Sequence, residues 1–200
     1  MMSLIRCMDV ILSLIGIIIL SPLLFVVALL VRLTSSGAVF YLQNRVGKDG
    51  KDFRLYKFRT MYTSADQKGH LTVGGRDKRI TRVGYYLRKF KIDELPQLLN
   101  VLKGEMSIVG PRPELRRYVD LYTEEQRKAL QVVPGITDYA SIAYRNENEL
   151  LALAENPEEY YVNEVMPRKI ELNFKYISNR TLPEYFKIIG KTLVTAVKGR

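Results

Sequence analysis

The pattern of hydrophobic and polar positions begins with a long apolar stretch. Residues 10–31 include no charged side chain over 22 consecutive positions. As one straight helix this stretch would be about 33 Å long, enough to cross a hydrocarbon layer about 30 Å thick. A cleaved signal peptide is disfavoured, because its apolar part normally covers only about 7–15 residues. The pattern therefore predicts a helix that enters a membrane.

A Ser21-Pro22 pair lies near the middle of this stretch. Proline removes the backbone hydrogen bond to Ile18, and in lipid the freed carbonyl needs another donor, for which the Ser21 hydroxyl is well placed. Arg6 precedes the stretch and Arg32 follows it, so both flanks carry the positive charge typical of a cytoplasmic side. These features favour a helix-break-helix hairpin that re-enters the same leaflet. A simple spanning helix remains the alternative.

The pattern after the apolar stretch predicts a β-hairpin and a helix. Residues 38–61, AVFYLQNRVGKDGKDFRLYKFRTM, place apolar and aromatic residues around an Asp49-Gly50 turn signal. Residues 64–75 are polar and predict a loop. In residues 92–104, leucines recur at the spacing of one helix face, and Gly104 marks the end of that helix.

Further helix signals follow along the chain. Thr123 with Gln126, and Asn146 with Glu149, resemble capping boxes. Residues 156–159 open another helix, which we expect to be interrupted at Pro167. A last helix begins at Pro183; it is basic and amphipathic, so it could lie on an anionic membrane surface or pack on the domain.

Positive charge is concentrated in one part of the chain. Residues 45–91 hold 14 Lys or Arg against four acidic residues, a surplus of ten that equals the net charge of the whole chain. Such a region can bind nucleic acid, acidic lipid headgroups or a phosphate-bearing substrate. The alternative is a basic surface that contacts only solvent. The single Cys7 excludes an internal disulfide framework. The single His70 excludes a His-rich metal site and argues against a His-based catalytic triad.

Two acids, Asp93 and Glu94, stand side by side in the sequence KIDELPQ. Asp is a preferred N-cap residue, but Pro96 would occupy the third helical position and has no N–H to donate to the cap. Nearby cations would keep both carboxylates ionised at pH 7. Ionised carboxylates can bind Mg²⁺ or attack an electrophile without a general base. The residues alone leave a helix cap and an active site equally open.

A second motif, GEMSIVGPRPE at residues 104–114, holds Arg112 between two prolines. The prolines form a short rigid mount that keeps the side chain from collapsing onto a helix. Arginine is suited to bidentate contacts with phosphate. The motif therefore predicts a phosphate-binding arginine, although a rigid loop alone would also explain the prolines.

Taken together, these motifs resemble the bacterial sugar transferases, and more specifically the minimal monotopic phosphoglycosyl transferases. The resemblance covers nearly the whole chain. The matching pieces are the apolar segment with Ser21-Pro22, NRVG at 44–47, YKFRTM at 56–61, DELPQLLNVLKGEMSIVGPRPE at 93–114 and PGIT at 134–137.

The resemblance implies transfer of a sugar 1-phosphate from a nucleotide diphosphate sugar, commonly a UDP-sugar, to a membrane polyprenyl phosphate. UMP would leave, and a polyprenyl-diphosphate-sugar would form as the first membrane step of polysaccharide or glycoconjugate assembly. The resemblance also implies a monotopic protein on the cytoplasmic face of the bacterial inner membrane, held in the phospholipid bilayer by a re-entrant helix and without a nucleic-acid partner.

By the same resemblance, Asp93 is the nucleophile that forms a covalent phosphosugar intermediate. Glu94 helps Asp93 to bind Mg²⁺ and the acceptor. Asp93 and Glu94 are thus also the expected metal ligands. Phosphoryl transfer depends on neutralising charge and on in-line positioning. The basic side chains expected to bind substrate are Lys57, Arg59, Arg88, Arg112 and Arg145.

The expected fold is α+β, mainly α. It contains an N-terminal re-entrant helix-break-helix hairpin, a small β-hairpin and amphipathic helices packed at the membrane interface. Residues 1–34 would form the membrane anchor. Residues 35–200 would form the catalytic domain on the cytoplasmic face, including the C-terminal interfacial helices.

The chain departs from the family pattern in one motif. After PGIT many members carry Gly and then Trp or Leu, whereas this chain has Asp138-Tyr139 and no Trp. The departure does not alter the expected reaction type, but it leaves the sugar unnamed. Larger members also carry additional membrane helices before the anchor, and none is present in this sequence.

One hypothesis from a different class competes with the transferase. A membrane-tethered basic protein without enzymatic activity would use residues 45–91 to bind acidic lipid or nucleic acid, with the aromatic residues at 53–62 stacking on bases. It would show salt-sensitive binding and no Mg²⁺-dependent turnover.

Overall fold

The computed structural model describes residues 3–63 and 77–198 of the chain. The helices are α1 (Leu4–Thr34), α2 (Arg82–Lys89), α3 (Gln97–Lys103), α4 (Arg116–Val119), α5 (Glu124–Arg127), α6 (Tyr139–Ala143), α7 (Glu147–Ala152), α8 (Pro157–Tyr160), α9 (Met166–Ile177) and α10 (Leu182–Lys198). The strands are β1 (Phe40–Val46), β2 (Asp52–Phe58), β3 (Ser107–Val109) and β4 (Gly135–Thr137). The predicted polar loop at 64–75, with His70, lies outside the described residues.

The mainly helical class and the small β-hairpin are confirmed. Strands β1 and β2 pair antiparallel, with Phe40 opposite Phe58. Asp49 and Gly50 connect them with φ values of 55° and 74°, a left-handed conformation that suits the turn signal. A second sheet, in which β3 and β4 run parallel, was not expected. Its strands are three residues each, too short to show an alternating pattern in the sequence.

The N-terminal segment is one continuous helix. The expected separation into two helices is wrong, because α1 runs through Pro22 without ending. The Ser21 hydroxyl donates to the Ile18 carbonyl at 2.8 Å, as the sequence predicted. Since the carbonyl that Pro22 leaves free has a donor, the helix can continue. In the described part of the chain, α1 alone is long and apolar enough to cross a membrane by length and composition.

One face of α1 packs on the rest of the protein at both of its ends. Near the N-terminus Asp9 is buried and Gly16 lies close to Leu98 of α3. Near the C-terminus Val31 is buried in a cluster with Leu87 of α2. The other face exposes large apolar side chains: Ile11, Leu14, Ile15, Ile18, Ile19, Leu23, Phe25, Val26, Leu29, Leu30 and Leu33.

Arg6 joins the first turns of α1 to the end of α3. Its guanidinium donates to the Val101 carbonyl at 2.5 Å and to the Leu102 carbonyl at 3.0 Å. These carbonyls belong to the last turn of α3, and the Val101 carbonyl also accepts the Gly104 N–H at 3.0 Å. A cation at this end also matches the negative pole of the helix dipole.

Asp9 fixes the same part of α1 to β3 and α10. Its Oδ1 accepts hydrogen bonds from the Ser107 hydroxyl at 2.9 Å, the Ile108 N–H at 2.9 Å and the Tyr185 hydroxyl at 2.8 Å. Asp9 is 2% exposed. A buried carboxylate is costly without such donors, so the three bonds make this position specific for an acid.

The later helices correct several details of the sequence prediction. The capping box of Thr123 and Gln126 is confirmed, whereas Asn146 precedes α7 without a side-chain cap. The interruption expected at Pro167 falls earlier, in a π-helical segment at Tyr161–Val165 between α8 and α9. Proline is tolerated in the first turn of α9 because an N–H there has no helical acceptor.

The last helix, α10, packs on the domain through one of its faces. Tyr185 and Ile188 are buried in a cluster that includes Val109 and side chains of α1. Phe186, Leu193 and Val194 are exposed. Of the two roles open to this helix, packing is confirmed for one face, and its exposed apolar side chains leave a membrane contact open for the other.

We predict that Asp9→Ala lowers the free energy of unfolding by about 2–3 kcal/mol, because three buried donors lose their shared acceptor. Thermal unfolding of the full chain in lipid nanodiscs measures the change. Asp120→Ala is the matched control, since Asp120 is exposed. An Asp9→Ala protein that melts with the wild type, or a control that loses as much, would contradict this role of Asp9.

Candidate active site

The acid pair lies in a single 3₁₀ turn, Ile92–Glu94, and not at the start of a longer helix. The expectation that a helix begins at Asp93 is therefore wrong, and α3 begins at Gln97. Because Pro96 has no N–H to donate to the Ile92 carbonyl, this carbonyl accepts from Leu95, three residues on, at 3.2 Å. The end of α3 at Gly104, with φ 86°, is as predicted.

Asp93 is buried and caps no helix. It is 8% exposed, and its Oδ1 has no hydrogen-bond partner among the described residues. Burial, and then the charge of Glu94, raise the pKa of Asp93 to about 6. The carboxylate is still mostly ionised at pH 7, although the cations around it offset less of the repulsion than the sequence led us to expect. The turn thus holds a buried carboxylate in which one oxygen has no hydrogen-bond partner among the described residues.

Glu94 is bound by two cations. Arg112 contacts both of its carboxylate oxygens, with Nη1 at 3.0 Å from Oε2 and Nη2 bonded to Oε1. Lys57 of β2 contacts Oε1 at 3.2 Å. Burial alone would raise the pKa of Glu94, but the charges of Arg112 and Lys57 outweigh it and hold that pKa well below its usual range. Glu94 is therefore the anchored member of the acid pair.

The two cations respond differently to this site. Burial lowers the pKa of Lys57 to about 8, even though Glu94 favours the charged amine. Arg112 keeps its charge, because Glu94 raises its pKa against the effect of burial. At pH 7 both side chains carry positive charge beside the acids, which is the electrostatic setting that a phosphate group needs.

The loop that carries Arg112 is held by a close approach of two backbones. The Gly110 N–H donates to the Thr137 carbonyl at 3.0 Å, and the Gly135 N–H donates to the Pro111 carbonyl at 2.9 Å. A Cβ at Gly135 would stand 2.1 Å from the nitrogen of Gly110, so no other residue fits there. The GPRP and PGIT motifs are thus two sides of one contact.

A buried network lies behind this loop and was missed from the sequence. Arg45 donates to the Pro113 carbonyl at 3.1 Å and pairs with Glu114 at 3.2 Å. The hydroxyl of Tyr161, in the π-helical segment, also bonds to Glu114. Arg45 and Glu114 were both inside motifs that had been recognised, but only their contacts assign them this supporting position.

Asp138 is a second residue that sequence reasoning left without a role. It is fully buried, caps α6 through Ser141 N–H and accepts the backbone N–H of Arg112 at 3.2 Å. Its neighbour Tyr139 bonds to Glu184 of α10. The departure from the Gly-Trp pattern is thus linked to the position of the arginine loop and to packing against α10.

The remaining predicted cations are dispersed. Arg88 is near enough to Asp93 for their charges to interact, although burial is the larger effect and lowers its pKa. Arg59 donates to the Ser35 carbonyl at 2.7 Å and to Val31, so its contacts hold the end of α1. Arg145 lies between α6 and α7, and its buried Nη1 has no partner in the described part of the chain. The contacts join Lys57 and Arg112 to the acid pair but not Arg59 or Arg145.

Metal binding at this site would start from one carboxylate oxygen. Within residues 3–63 and 77–198, no group of three or more His, Cys, Asp or Glu side chains is placed to hold a metal ion. Mg²⁺ often uses only one or two carboxylates and completes its shell with water and substrate phosphates. The free Oδ1 of Asp93 fits that requirement, whereas both oxygens of Glu94 are bonded to cations.

An open cavity of about 620 Å³ lies away from the acid pair, among residues 150–164 of α7, α8 and the π-helical segment. It contains none of the predicted site residues. A small cavity of about 20 Å³ lies under the arginine loop, beside Pro111, Arg112 and Pro113. Neither of these two cavities is lined by Asp93 or Glu94.

Comparison with known proteins gives a consistent result. The family model described as bacterial sugar transferase matches residues 2–199. A UDP-N-acetylgalactosamine-undecaprenyl-phosphate N-acetylgalactosaminephosphotransferase of Aeromonas hydrophila is 41% identical over 197 residues, which are 97% of this chain and 44% of that protein. The UDP-glucose:undecaprenyl-phosphate glucose-1-phosphate transferase of Escherichia coli K12 is 35% identical over 196 residues, 94% of this chain and 39% of that protein.

A further relative is closer in sequence but matches less of this chain. The uncharacterized sugar transferase EpsL of Bacillus subtilis 168 is 52% identical over 124 residues, which are 62% of this chain and 60% of EpsL. This chain spans less than half the length of the Aeromonas hydrophila and Escherichia coli relatives.

We predict that substitutions at the two acids change stability in opposite directions. The pKa of Asp93 is raised, so its ionisation opposes folding as the pH rises through about 6. Asp93→Asn should therefore stabilise the protein at pH 8 by at most about 3 kcal/mol. The pKa of Glu94 is lowered, so its ionised form stabilises the fold above its ordinary pKa. Glu94→Gln should cost about 3 kcal/mol at pH 8.

Thermal unfolding from pH 8 to pH 3 measures both effects. The advantage of Asp93→Asn should narrow between pH 6 and pH 4, where the wild-type acid becomes protonated in the folded state. The deficit of Glu94→Gln should narrow as the pH falls below the ordinary pKa of glutamate. Two variants that shift stability in the same direction at pH 8 would contradict this division of the acid pair.

Proposed function

Since the chain belongs to the bacterial sugar transferase family, we propose that it transfers a sugar 1-phosphate from a UDP-sugar to a membrane polyprenyl phosphate. The products are UMP and a polyprenyl-diphosphate-sugar, the first membrane step of polysaccharide or glycoconjugate assembly. The observation that carries this proposal is the ionised, unpartnered oxygen of Asp93 beside a glutamate that is already neutralised. The undecaprenyl-phosphate acceptors in the names of two relatives support the choice of acceptor.

Asp93 acts as the nucleophile in the proposed reaction. One of its carboxylate oxygens bonds to the phosphorus that bears the sugar, the bond from that phosphorus to the bridging oxygen breaks, and UMP leaves with the electron pair. An oxygen of the polyprenyl phosphate then bonds to the same phosphorus, and the bond to Asp93 breaks. No side chain has to transfer a proton in either step. The pKa of about 6 fits this role, because the nucleophile is ionised at pH 7.

Lys57, Arg88 and Arg112 supply positive charge around the diphosphate. Lys57 and Arg112 already contact Glu94, so they are held in place before substrate arrives. Arg145 has a buried nitrogen without a partner in the described residues and can add a contact to the donor. Arg59 holds α1, so we assign it a structural role in this reaction.

Mg²⁺ is part of the proposal. Asp93 would supply one carboxylate oxygen, and Glu94 would supply its Oε2, which accepts from Arg112 at 3.0 Å and keeps a second lone pair. When bound, the ion would neutralise charge on the diphosphate and favour departure of UMP.

We further propose that the protein is monotopic on the cytoplasmic face of the bacterial inner membrane. Asp9 and Val31 are 22 positions apart, about 33 Å along a straight helix, yet both are buried against the same domain. A spanning helix would place a hydrocarbon core between these two points, where the domain could cover only one of them. The contacts of α1 thus support a helix whose two ends stay on one side of the membrane, with 1–34 as anchor and 35–200 as catalytic domain.

The sugar remains unassigned in this proposal. Relatives of 41% and 35% identity carry different sugars, N-acetylgalactosamine and glucose, in their names. Overall similarity at this level therefore does not select one donor. A panel of UDP-sugars assayed for UMP release would identify it.

We predict a burst of UMP when the enzyme is mixed with Mg²⁺ and the accepted UDP-sugar without polyprenyl phosphate. One equivalent of UMP per active site should appear, and mass spectrometry should find a phosphosugar adduct on Asp93. Asp93→Asn should form neither product, and its turnover with acceptor should fall by at least about 10³-fold. Thr123→Ala, a change in the distant cap of α5, is the control and should keep the burst. Full turnover without burst or adduct would replace the covalent route by direct attack.

We predict that both ends of α1 face the same side of the membrane. Single cysteines at Ser3 and Ser36, in a Cys7→Ser background, should both resist an impermeant thiol reagent in intact spheroplasts and both react after lysis. Both residues are exposed in the structure, so burial does not limit the reaction. Labelling of only one of them in intact spheroplasts would establish a spanning helix.

A further inference from the structure

Asp138 is a fully buried carboxylate at the junction of β4 and α6. Its Oδ1 accepts the Ser141 N–H, and its Oδ2 accepts the Arg112 N–H at 3.2 Å. Among the described residues it forms no ion pair. A buried carboxyl group without a direct ion pair is costly to desolvate, so its presence requires a reason.

Capping α6 is not a sufficient reason. Neutral side chains cap other helices in the described chain; for example, Thr81 caps α2, Thr123 caps α5 and Asn156 caps α8. A neutral cap has one oxygen acceptor, which is all that the Ser141 N–H needs. Asp138 differs in having a second oxygen, and that oxygen is bonded to the arginine loop.

The Arg112 N–H is the one backbone donor in the stretch Pro111-Arg112-Pro113, because proline has none. The bond to Asp138 therefore sets the orientation of the peptide group between Pro111 and Arg112, and with it the direction in which the Arg112 side chain leaves the backbone. From that mount the guanidinium reaches both oxygens of Glu94, the neighbour of Asp93. Two parallel contacts of this kind demand a defined approach angle.

We propose that Asp138 is a positioning residue, which holds the backbone of Arg112 so that its guanidinium stays aligned on Glu94 and on the phosphate of the donor. The inference depends on the proposed function only for the effect on turnover. Its structural part, the control of the arginine loop from β4 and α6, can be measured without any reaction.

Hydrogen–deuterium exchange of the full chain in nanodiscs tests the structural part. In Asp138→Ala, a peptide spanning 109–115 should exchange faster, because the Arg112 amide loses its acceptor. Asn156→Ala, which removes the cap of α8 and touches no part of the loop, should leave that peptide unchanged. If the faster exchange in Asp138→Ala is confined to residues 139–144, Asp138 is only a helix cap and the inference is wrong.

A double-mutant cycle tests the functional part. Asp138→Ala should lower kcat by about tenfold or more, since small displacements of a positioned group reduce rates strongly. In an Arg112→Ala background the same change should lower kcat by less than about twofold, because the side chain that it positions is gone. Asn156→Ala should not lower kcat in either background. A purely structural Asp138 predicts equal losses in both backgrounds, and that result would overturn the proposal.

The two proposals fail in different ways. If the wild type forms no product with any UDP-sugar, the proposed function fails while the exchange of 109–115 still decides the role of Asp138. If the wild type is active and Asp138→Ala keeps both its kcat and the protection of the loop, the positioning role fails and the transferase stands.

Discussion

The attachment of the first turns of α1 to two different elements is the interaction on which the rest of the structure depends. Arg6 binds the end of α3, the helix that follows the acid pair. Asp9 binds the start of β3, the strand that leads to the arginine loop. Arg6 and Asp9, at the start of α1, thus also fix the distance between the acid pair and the arginine loop. Because both contacts are buried or partly buried, they are strong in the low dielectric of the interior.

The two acids of the pair differ in their surroundings. Both carboxylates are buried, but one is matched by Arg112 and Lys57 and the other has an oxygen without a partner among the described residues. The matched acid stabilises the turn, whereas the unmatched acid costs stability. Such an imbalance is typical of active sites, where one group is left unsatisfied for the substrate. The proposed chemistry uses this difference, with Asp93 as nucleophile and Glu94 as its support.

Several details of the site could not be predicted from the sequence, for physical reasons. Asp93 and a nearby proline suggested a weak cap, but the loss of one N–H shortened the helix and left the acid in a separate turn. Arg59 belongs to the basic region by sequence, yet its guanidinium is used by carbonyls at the end of α1. The bonds of Asp9 to β3 and of Asp138 to Arg112 carry no local signal, because these partners are about 100 and 26 positions away along the chain.

Local chemistry in the sequence determined the class of the protein: an apolar segment with a serine ready to bond the carbonyl freed by proline, a β-hairpin at Asp49-Gly50, an adjacent acid pair and an arginine between prolines. Those properties are encoded within a few residues of one another. Only the tertiary structure decided which cations meet the acids, which acid remains unpaired and how the membrane helix is joined to the site. Contacts between distant segments decide these matters, since charge pairing and burial depend on distance in space and not on position along the chain.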